Sequence, residues 1–182
     1  MTTDPEGRPP PLRAAPLARP FHVVLVEPEI PPNTGNIARL CGATLCPLHL
    51  VGKLGFRIDE HAVRRAGLDY WHLVDVRTHT DLDAALHDVA LTRAVQRSQV
   101  RAWYFSARAR RSYLDTPFEL GDALVFGKES VGLPEALLRA EAERVVAIPT
   151  LGAVRSLNLA NAVSIALYEA LRRNRVLEAI DP

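Results

Sequence analysis

Hydrophobic and polar positions alternate along this chain in two rhythms. Short apolar, β-branched runs predict strands at Phe21–Val26, Pro47–Val51, His72–Val76, Val100–Phe105, Asp122–Phe126 and Arg144–Ile148. Glu27-Pro28 ends the first, Gly52 closes the second, Gly127 follows the fifth and Pro149 stops the last. Between them, apolar residues three and four apart predict helices. One starts at Asn33-Thr34-Gly35 and aligns Ile37, Leu40 and Cys41. Asp59 to Gly67 reads as a short helix, with Asp59 as N-cap and Gly67 as terminator. Asp81 to Val89 puts Leu82, Ala85, Leu86 and Val89 on one face. Pro134 suits the first turn of a short helix through Arg139. Leu157 to Arg173 is the longest periodic segment, with Leu159, Val163, Ala166, Leu167, Ala170 and Leu171 in a stripe.

Strands alternating with helices predict an α/β fold, a mostly parallel sheet with helices on both faces. No repeat is visible. Ligands of such sheets bind beyond the carboxyl ends of the strands. That rule directs attention to Glu27–Asn36, Ser106 onward, Gly127–Gly132 and Pro149–Asn158.

Composition narrows the class. The chain has 182 residues, 48% apolar and 24% charged, which allows one domain with a full core and excludes gross disorder, collagen and a disulfide scaffold. Six of the 14 prolines fall in the first 20 residues. Residues 1–20 are therefore expected to form a disordered or extended tail rather than a signal peptide. The domain is expected over 21–175, with a C-terminal tail at 176–182. No apolar run approaches the roughly 20 residues that span a bilayer, so a cytoplasmic protein without membrane contact is expected. Cys41 and Cys46 stand at C-x4-C spacing with His49 beyond them, but a second ligand pair at zinc spacing is missing. They read as reduced thiols at a helix–strand seam. The six histidines show no ligand pattern, and no metal is expected.

Net charge is +1, and 20 of the 22 basic residues are Arg. Outside the tail, 19 bases balance 19 acids. Between Val89 and Leu114, however, Arg93, Arg97, Arg101, Arg108, Arg110 and Arg111 occur without an acid, interleaved with Trp103, Tyr104, Phe105 and Tyr113. Such a block can contact phosphates, or it can be a solvated face. Trp103 and Tyr104 read as strand core rather than base-stacking platforms.

Standard fingerprints fail. There is no G-x-G-x-x-G, G-x-S-x-G or H-E-x-x-H. Gly127-Lys128 resembles the end of a P-loop, but Asp122 stands where glycine is needed and Glu129 where Ser or Thr should hold magnesium.

Three segments at strand ends hold. The first runs from Glu27 through Pro28, Glu29, Ile30, Pro31, Pro32, Asn33, Thr34 and Gly35 to Asn36, then Arg39. It is a stiff loop before a helix, with Asn36 and Arg39 on one face. It is also readable as a plain turn and cap. The second is F-G-K-E-S-V-G-L-P from Phe126 to Pro134, where two glycines flank Glu129 and allow close backbone approach; it is also readable as an ordinary strand–helix connection. The third is Ile148 to Asn158, where Ser156 or Asn158 can cap the long helix.

Together these motifs resemble the SPOUT superfamily of RNA methyltransferases, and within it the small single-domain group similar to tRNA wobble-position (cytidine/uridine) 2′-O-methyltransferases. The motifs are E-P-E-I-P-P-N-T-G-N-I-x-R-L-C, Leu54-Gly-Phe56, Arg64-Arg-Ala-Gly-Leu-Asp-Tyr70, F-G-x-E-x-x-G-L-P, and R-S-x-N-L-x-N-A-V leading to Tyr168-Glu-Ala170. The match runs from Phe21 to Arg173. The resemblance implies a C-terminal deep trefoil knot whose loops hold S-adenosyl-L-methionine against Phe105, Gly127, Glu129, Ile148, Ser156 and Leu157. Leu68, Val131 and Leu133 are left as core. It implies methyl transfer to a ribose hydroxyl without a metal, with Arg39 and Asn36 as catalytic candidates. A free guanidinium holds its proton to about pH 12, so Arg39 is expected to orient the hydroxyl or a phosphate. The resemblance also implies tRNA contacts from Arg64, Arg65, Arg108, Arg155 and Tyr168, and a homodimer joined through the long helix, where Tyr168 could instead pack at the interface. Lys128, Val131 and Cys46-Pro47 depart from the family pattern. Other readings are 2′-O-methylation at another tRNA position or of rRNA, a non-catalytic RNA-binding module, and a generic α/β metabolite enzyme.

Overall fold

The computed structural model describes residues 12–56 and 71–178. Within these, the chain runs β1 (His22–Val26), α1 (Pro31–Thr44), β2 (Leu48–Val51), β3 (Val76–His79), α2 (Leu82–Thr92), β4 (Ala102–Phe105), β5 (Ala123–Phe126), α3 (Glu135–Ala140), β6 (Val145–Val146) and α4 (Leu159–Arg173). The six strands form one sheet in the order β3-β2-β1-β5-β4-β6. Every strand pair is parallel, as the alternation of elements predicts.

Strand alternation divides the core in two. Phe21, Val23, Leu25, Leu48, Leu50, Phe105, Leu124 and Phe126 face α1 and α4, packing on Ile37, Cys41, Val163, Ala166, Leu167 and Ala170. Val24, Val51, Tyr104 and Val125 face the other way, onto Ala85, Leu86 and Val89 of α2. Helices therefore cover both faces. Leu17, within the stretch read as tail, packs on the first core. Cys41 and Cys46 are buried free thiols in that same core, and burial raises both above the ordinary thiol range.

Several boundaries differ from the sequence reading. α1 begins at Pro31, not near Asn33, because prolines at the first two helical positions lack only N–H groups that would have no intrahelical partner. The strand expected at His72–Val76 is a 3-10 turn over Trp71–Leu73, and β3 starts at Val76. Trp71 and Val74 pack onto the core from outside the ladder, so their apolar character reports packing rather than pairing. β3 is an edge strand with no fully buried residue, so it carries no apolar run. β6 pairs at only two residues, against Tyr104 and Phe105. α2 has Asp81 as N-cap, accepting from the Ala84 amide at 2.8 Å. α4 begins at Leu159, with Asn158 as N-cap. The helix expected at Asp59–Gly67, and with it Arg64, Arg65 and Leu68, lies outside the described residues.

The strand order fixes where a ligand site can form. β1 connects outward to β2, while β5 lies on its other side and leads toward β6 at the opposite edge. A switch point of this kind is where a ligand crevice forms, beyond the carboxyl ends of β1 and β5.

Candidate functional site

Two loops meet at that crevice. After β1, Glu27 takes a left-handed φ of 50°, and its amide donates to the Val51 carbonyl at 2.8 Å. The following residues then turn into α1. After β5, the chain folds back on itself: the Gly132 amide donates to the Lys128 carbonyl at 2.9 Å, with Gly132 at φ 78°. Gly127 sits under this fold-back. A Cβ there would lie 2.1 Å from the Gly132 carbonyl carbon and 2.2 Å from the Leu133 nitrogen. The close approach that requires glycine is thus made by the loop's own backbone.

Glu129 joins the two loops. Its carboxylate accepts from the Glu29 amide at 2.8 Å, the Ile30 amide at 3.3 Å and Asn33 Nδ2 at 2.9 Å. The Ser130 amide returns a bond to Glu29 Oε2 at 3.0 Å. Hydrogen bonding by Ser130 holds the Glu29 carboxyl below its ordinary range. α1 has no acidic residue in its first turn, and its N-cap residue Ile30 offers no side-chain cap. Glu129 supplies from another loop the negative charge that a helix N-terminus favours.

The third segment joins through Asn33. Its Oδ1 accepts from Asn158 Nδ2 at 3.0 Å, while Asn158 Oδ1 caps α4 by accepting from the Ala160 and Asn161 amides at 2.9 and 3.4 Å. One chain of bonds therefore runs from Glu29 through Glu129 and Asn33 to Asn158. It ties together the three segments flagged in the sequence. Sequence reasoning missed Asn33 and Glu29 as members. Both lie inside a flagged motif, but Asn33 was legible only as a helix start. Asn158 was legible as a cap but not as a bridge.

The remaining candidate residues lie on four elements and loops of the chain. Phe105, at the end of β4, stacks on Phe126 with centroids 4.5 Å apart and planes 13° apart. Ile148 and Leu157 are half-buried, and Arg155 and Ser156 are exposed. The backbone from Ile148 to Asn158 belongs to no helix or strand and carries the exposed Leu151 and Val154. Leu133 is core as expected, whereas Val131 is 75% exposed. Asn36 and Arg39 lie exposed on the same stretch of α1. Ile165 and Tyr168 are exposed on α4.

The basic block resolves into two kinds of arginine. Arg97 pairs with Asp83 at 3.1 Å. Arg101 engages Glu119 and Asp122, and its guanidinium lies 5.6 Å from the centre of the Trp103 ring. Arg111 donates to the Glu143 carbonyl at 3.1 Å from the same ring's neighbourhood. Arg93 packs its guanidinium beside Gly121, with Nε and Nη1 buried. These four serve the fold. Arg108 and Arg110 are exposed in the loop after β4. Trp103 and Tyr104 are core, as read. Lys128 is held by Glu27 at 2.5 Å, so the cation gained at that position is neutralised inside the site.

Comparison with known proteins gives consistent matches. Residues 20–168 match the SpoU rRNA Methylase family. The tRNA (cytidine(34)-2′-O)-methyltransferase of Acidovorax sp. (strain JS42) is 46% identical over 159 residues, covering 86% of this chain and 94% of that protein. A solved structure described as "Structural insights into the 2-OH methylation of C/U34 on tRNA" is 45% identical with a TM-score of 0.76, covering 86% of this chain and 97% of that one. The SpoU methyltransferase AviRb from Streptomyces viridochromogenes in complex with the cofactor AdoMet is 26% identical with a TM-score of 0.72, covering 88% of this chain and 63% of that one.

Proposed function

The chain belongs to the SpoU rRNA Methylase family, and on that premise we propose that it methylates the ribose 2′-hydroxyl of the wobble nucleotide of tRNA, cytidine or uridine 34, using S-adenosyl-L-methionine. The observation that carries this reading is the bond chain from Glu29 through Glu129 and Asn33 to Asn158. It gathers the three motif segments at the switch point of a parallel sheet.

The candidate cofactor residues suit an adenosyl group. Phe105, Ile148 and Leu157 offer apolar surface, Gly127 leaves the end of β5 without a side chain, and Ser156 adds a hydroxyl on an exposed loop. When bound, S-adenosyl-L-methionine would supply a methyl group on a sulfonium, and transfer to the ribose oxygen would release a neutral thioether and leave the hydroxyl proton to water, with no metal needed for the leaving group. The protein must place the hydroxyl in line. Arg39, with a planar fork of donors, orients the ribose hydroxyl or the adjoining phosphate from the exposed face of α1, and Asn36 supports that geometry. Glu129 acts at one remove, fixing the loop that lines the cofactor. Arg108, Arg155 and Tyr168 contact the RNA, together with Arg64 and Arg65.

The same reading gives the C-terminal segment a deep trefoil knot and the protein a cytoplasmic place. It also gives a homodimer joined through α4, where exposed Ile165 offers an apolar contact. Labelled methyl donor incubated with unmodified total tRNA, followed by mapping, tests the activity. Incorporation at nucleotide 34 is expected; incorporation only at other positions or in rRNA would overturn the assignment. Arg39→Lys should lower turnover by on the order of 100-fold, since a misplaced reactant costs about that much, while S-adenosylhomocysteine affinity stays unchanged. Near-normal turnover in that variant would remove Arg39 from this role.

A further inference from the structure

On the face of the sheet covered by α2, three histidines stand in line across β1, β2 and β3. His22 Nδ1 lies 3.0 Å from His49 Nε2, and His49 Nδ1 lies 3.0 Å from His79 Nε2. Asp88, from α2, brings its Oδ2 to 3.7 Å from His49 Nδ1 and 3.9 Å from His79 Nε2. Three donor atoms from three elements thus form a compact triangle. Zinc holds nitrogen and oxygen ligands at about 2.0–2.2 Å, and tetrahedral geometry then spaces those ligand atoms by roughly 3.3–3.5 Å. The triangle brackets that spacing.

We propose that His49 Nδ1, His79 Nε2 and Asp88 Oδ2 bind one divalent transition metal of the zinc class, pinning edge strand β3 and helix α2 to β2, with water completing the coordination. The His49 side chain is fully buried, whereas those of His79 and Asp88 are 11% and 29% exposed, so an ion and its water have a path from solvent.

The surroundings match what a bound ion needs. A ligating histidine donates its other ring N–H to a fixed acceptor, and His22 Nδ1 stands in that place for His49 Nε2. Arg77 donates from Nη1 to Asp88 Oδ2 at 2.9 Å and to Thr92 Oγ1 at 2.7 Å, fixing the carboxylate. An ionised carboxylate oxygen keeps a lone pair beyond that bond. The guanidinium charge is already balanced by Asp75, which Arg77 grips at 3.0 and 2.6 Å. The end of β3 is also tied to the end of β2 by backbone, where the His79 carbonyl accepts from the Gly52 amide at 2.9 Å. Sequence spacing could not reveal this site, because each ligand sits alone on its own element.

Titration of metal-stripped full-length protein with Co²⁺, followed by visible absorption, tests the proposal, with competition by Zn²⁺ and metal analysis giving affinity and stoichiometry. One equivalent per chain is expected, with the absorption of low-symmetry four- or five-coordinate cobalt. His79→Gln and Asp88→Asn should each weaken binding by at least about tenfold, the lower end of what even an outer partner contributes, while circular dichroism is retained. Asp88→Cys should keep binding and add a sulfur-to-cobalt charge-transfer band, a gain that misfolding cannot mimic. Absence of saturable binding to the folded protein would overturn the site, leaving a chain of hydrogen-bonded imidazoles. Binding that survives both ligand substitutions would overturn it equally.

Discussion

Glu129 shows how much a single side chain can hold together. The sequence marks it as a residue between two glycines, open to a ligand. In the fold its carboxylate is taken up by two amides and Asn33 Nδ2. Hydrogen bonds to a charged group contribute about 1.5–3 kcal/mol each in favourable settings, and part of that is offset by solvation here. Glu129→Ala should therefore lower stability by roughly 2 kcal/mol and also weaken S-adenosylhomocysteine binding. Asn33→Ala should do the same, and the double variant should fall short of the sum by about 1 kcal/mol or more. Urea unfolding and calorimetry on the four proteins measure this; strict additivity would mean that the two do not act as one clamp. Gly127 makes the same point in backbone terms. Gly127→Ala places a methyl carbon 2.1 Å from backbone, and backbone cannot swing aside as a flexible side chain can. A loss of at least about 3 kcal/mol is expected, seen as a lowered thermal midpoint, and an unchanged midpoint would show that the fold-back yields.

At the level of elements, periodicity identified the strands and helices that bury a continuous face. Phe21–Val26 and Leu157–Arg173 were legible because β1 is buried on both its faces and α4 buries one continuous stripe in the first core. β3 was misplaced because an edge strand has only one neighbour and half-exposed residues, so Val76-Arg-Thr-His79 carries no apolar signature. The sequence shows His22, His49 and His79 as scattered, yet period-two geometry sends all three to the α2 face. Their environment makes the β1–β2–β3 half sensitive to acid. Burial, reinforced by Arg77 and Arg93, lowers the His22 pKa from 6.5 to about 4. Burial, with His22, His79 and Arg77, lowers that of His49 to about 3. Asp88 and Asp75 oppose these effects but do not reverse them. Folded values below the unfolded value mean that the unfolded chain binds protons first. The associated stability is present above pH 6.5 and is lost as pH falls toward about 4. In chelator-treated protein, unfolding free energy should drop by at least about 2 kcal/mol between neutral pH and about pH 4.5. His22→Gln should flatten that dependence. A wild-type profile that is flat over this range would show that the imidazoles are not held neutral.

Across the whole molecule, net charge conceals the division of labour among arginines. The acid-free stretch from Val89 to Leu114 looks like a uniform basic surface in the sequence, because the acids that engage it come from elsewhere: Asp83, Glu119 and Asp122. Only the fold reveals that Arg101 is structural, lying over Trp103 and reaching an Asp122 carboxyl that the indole N–H also meets at 2.9 Å. Arg108 and Arg110 are exposed in the loop after β4. Each phosphate contact contributes about 0.9 to the slope of log affinity against log salt for duplex nucleic acid, and about 0.7 for single strands. Replacing both Arg108 and Arg110 with Ala should therefore reduce the salt slope of tRNA binding by about 1–2 and leave the unfolding free energy within about 0.5 kcal/mol of the parent. Arg101→Ala should do the reverse, destabilising the fold while the salt slope stays put. Filter binding across a salt series and urea unfolding separate the two behaviours. If Arg101→Ala changed the slope and the Arg108/Arg110 pair did not, the RNA surface would have to be moved off the β4 loop toward the opposite end of the sheet.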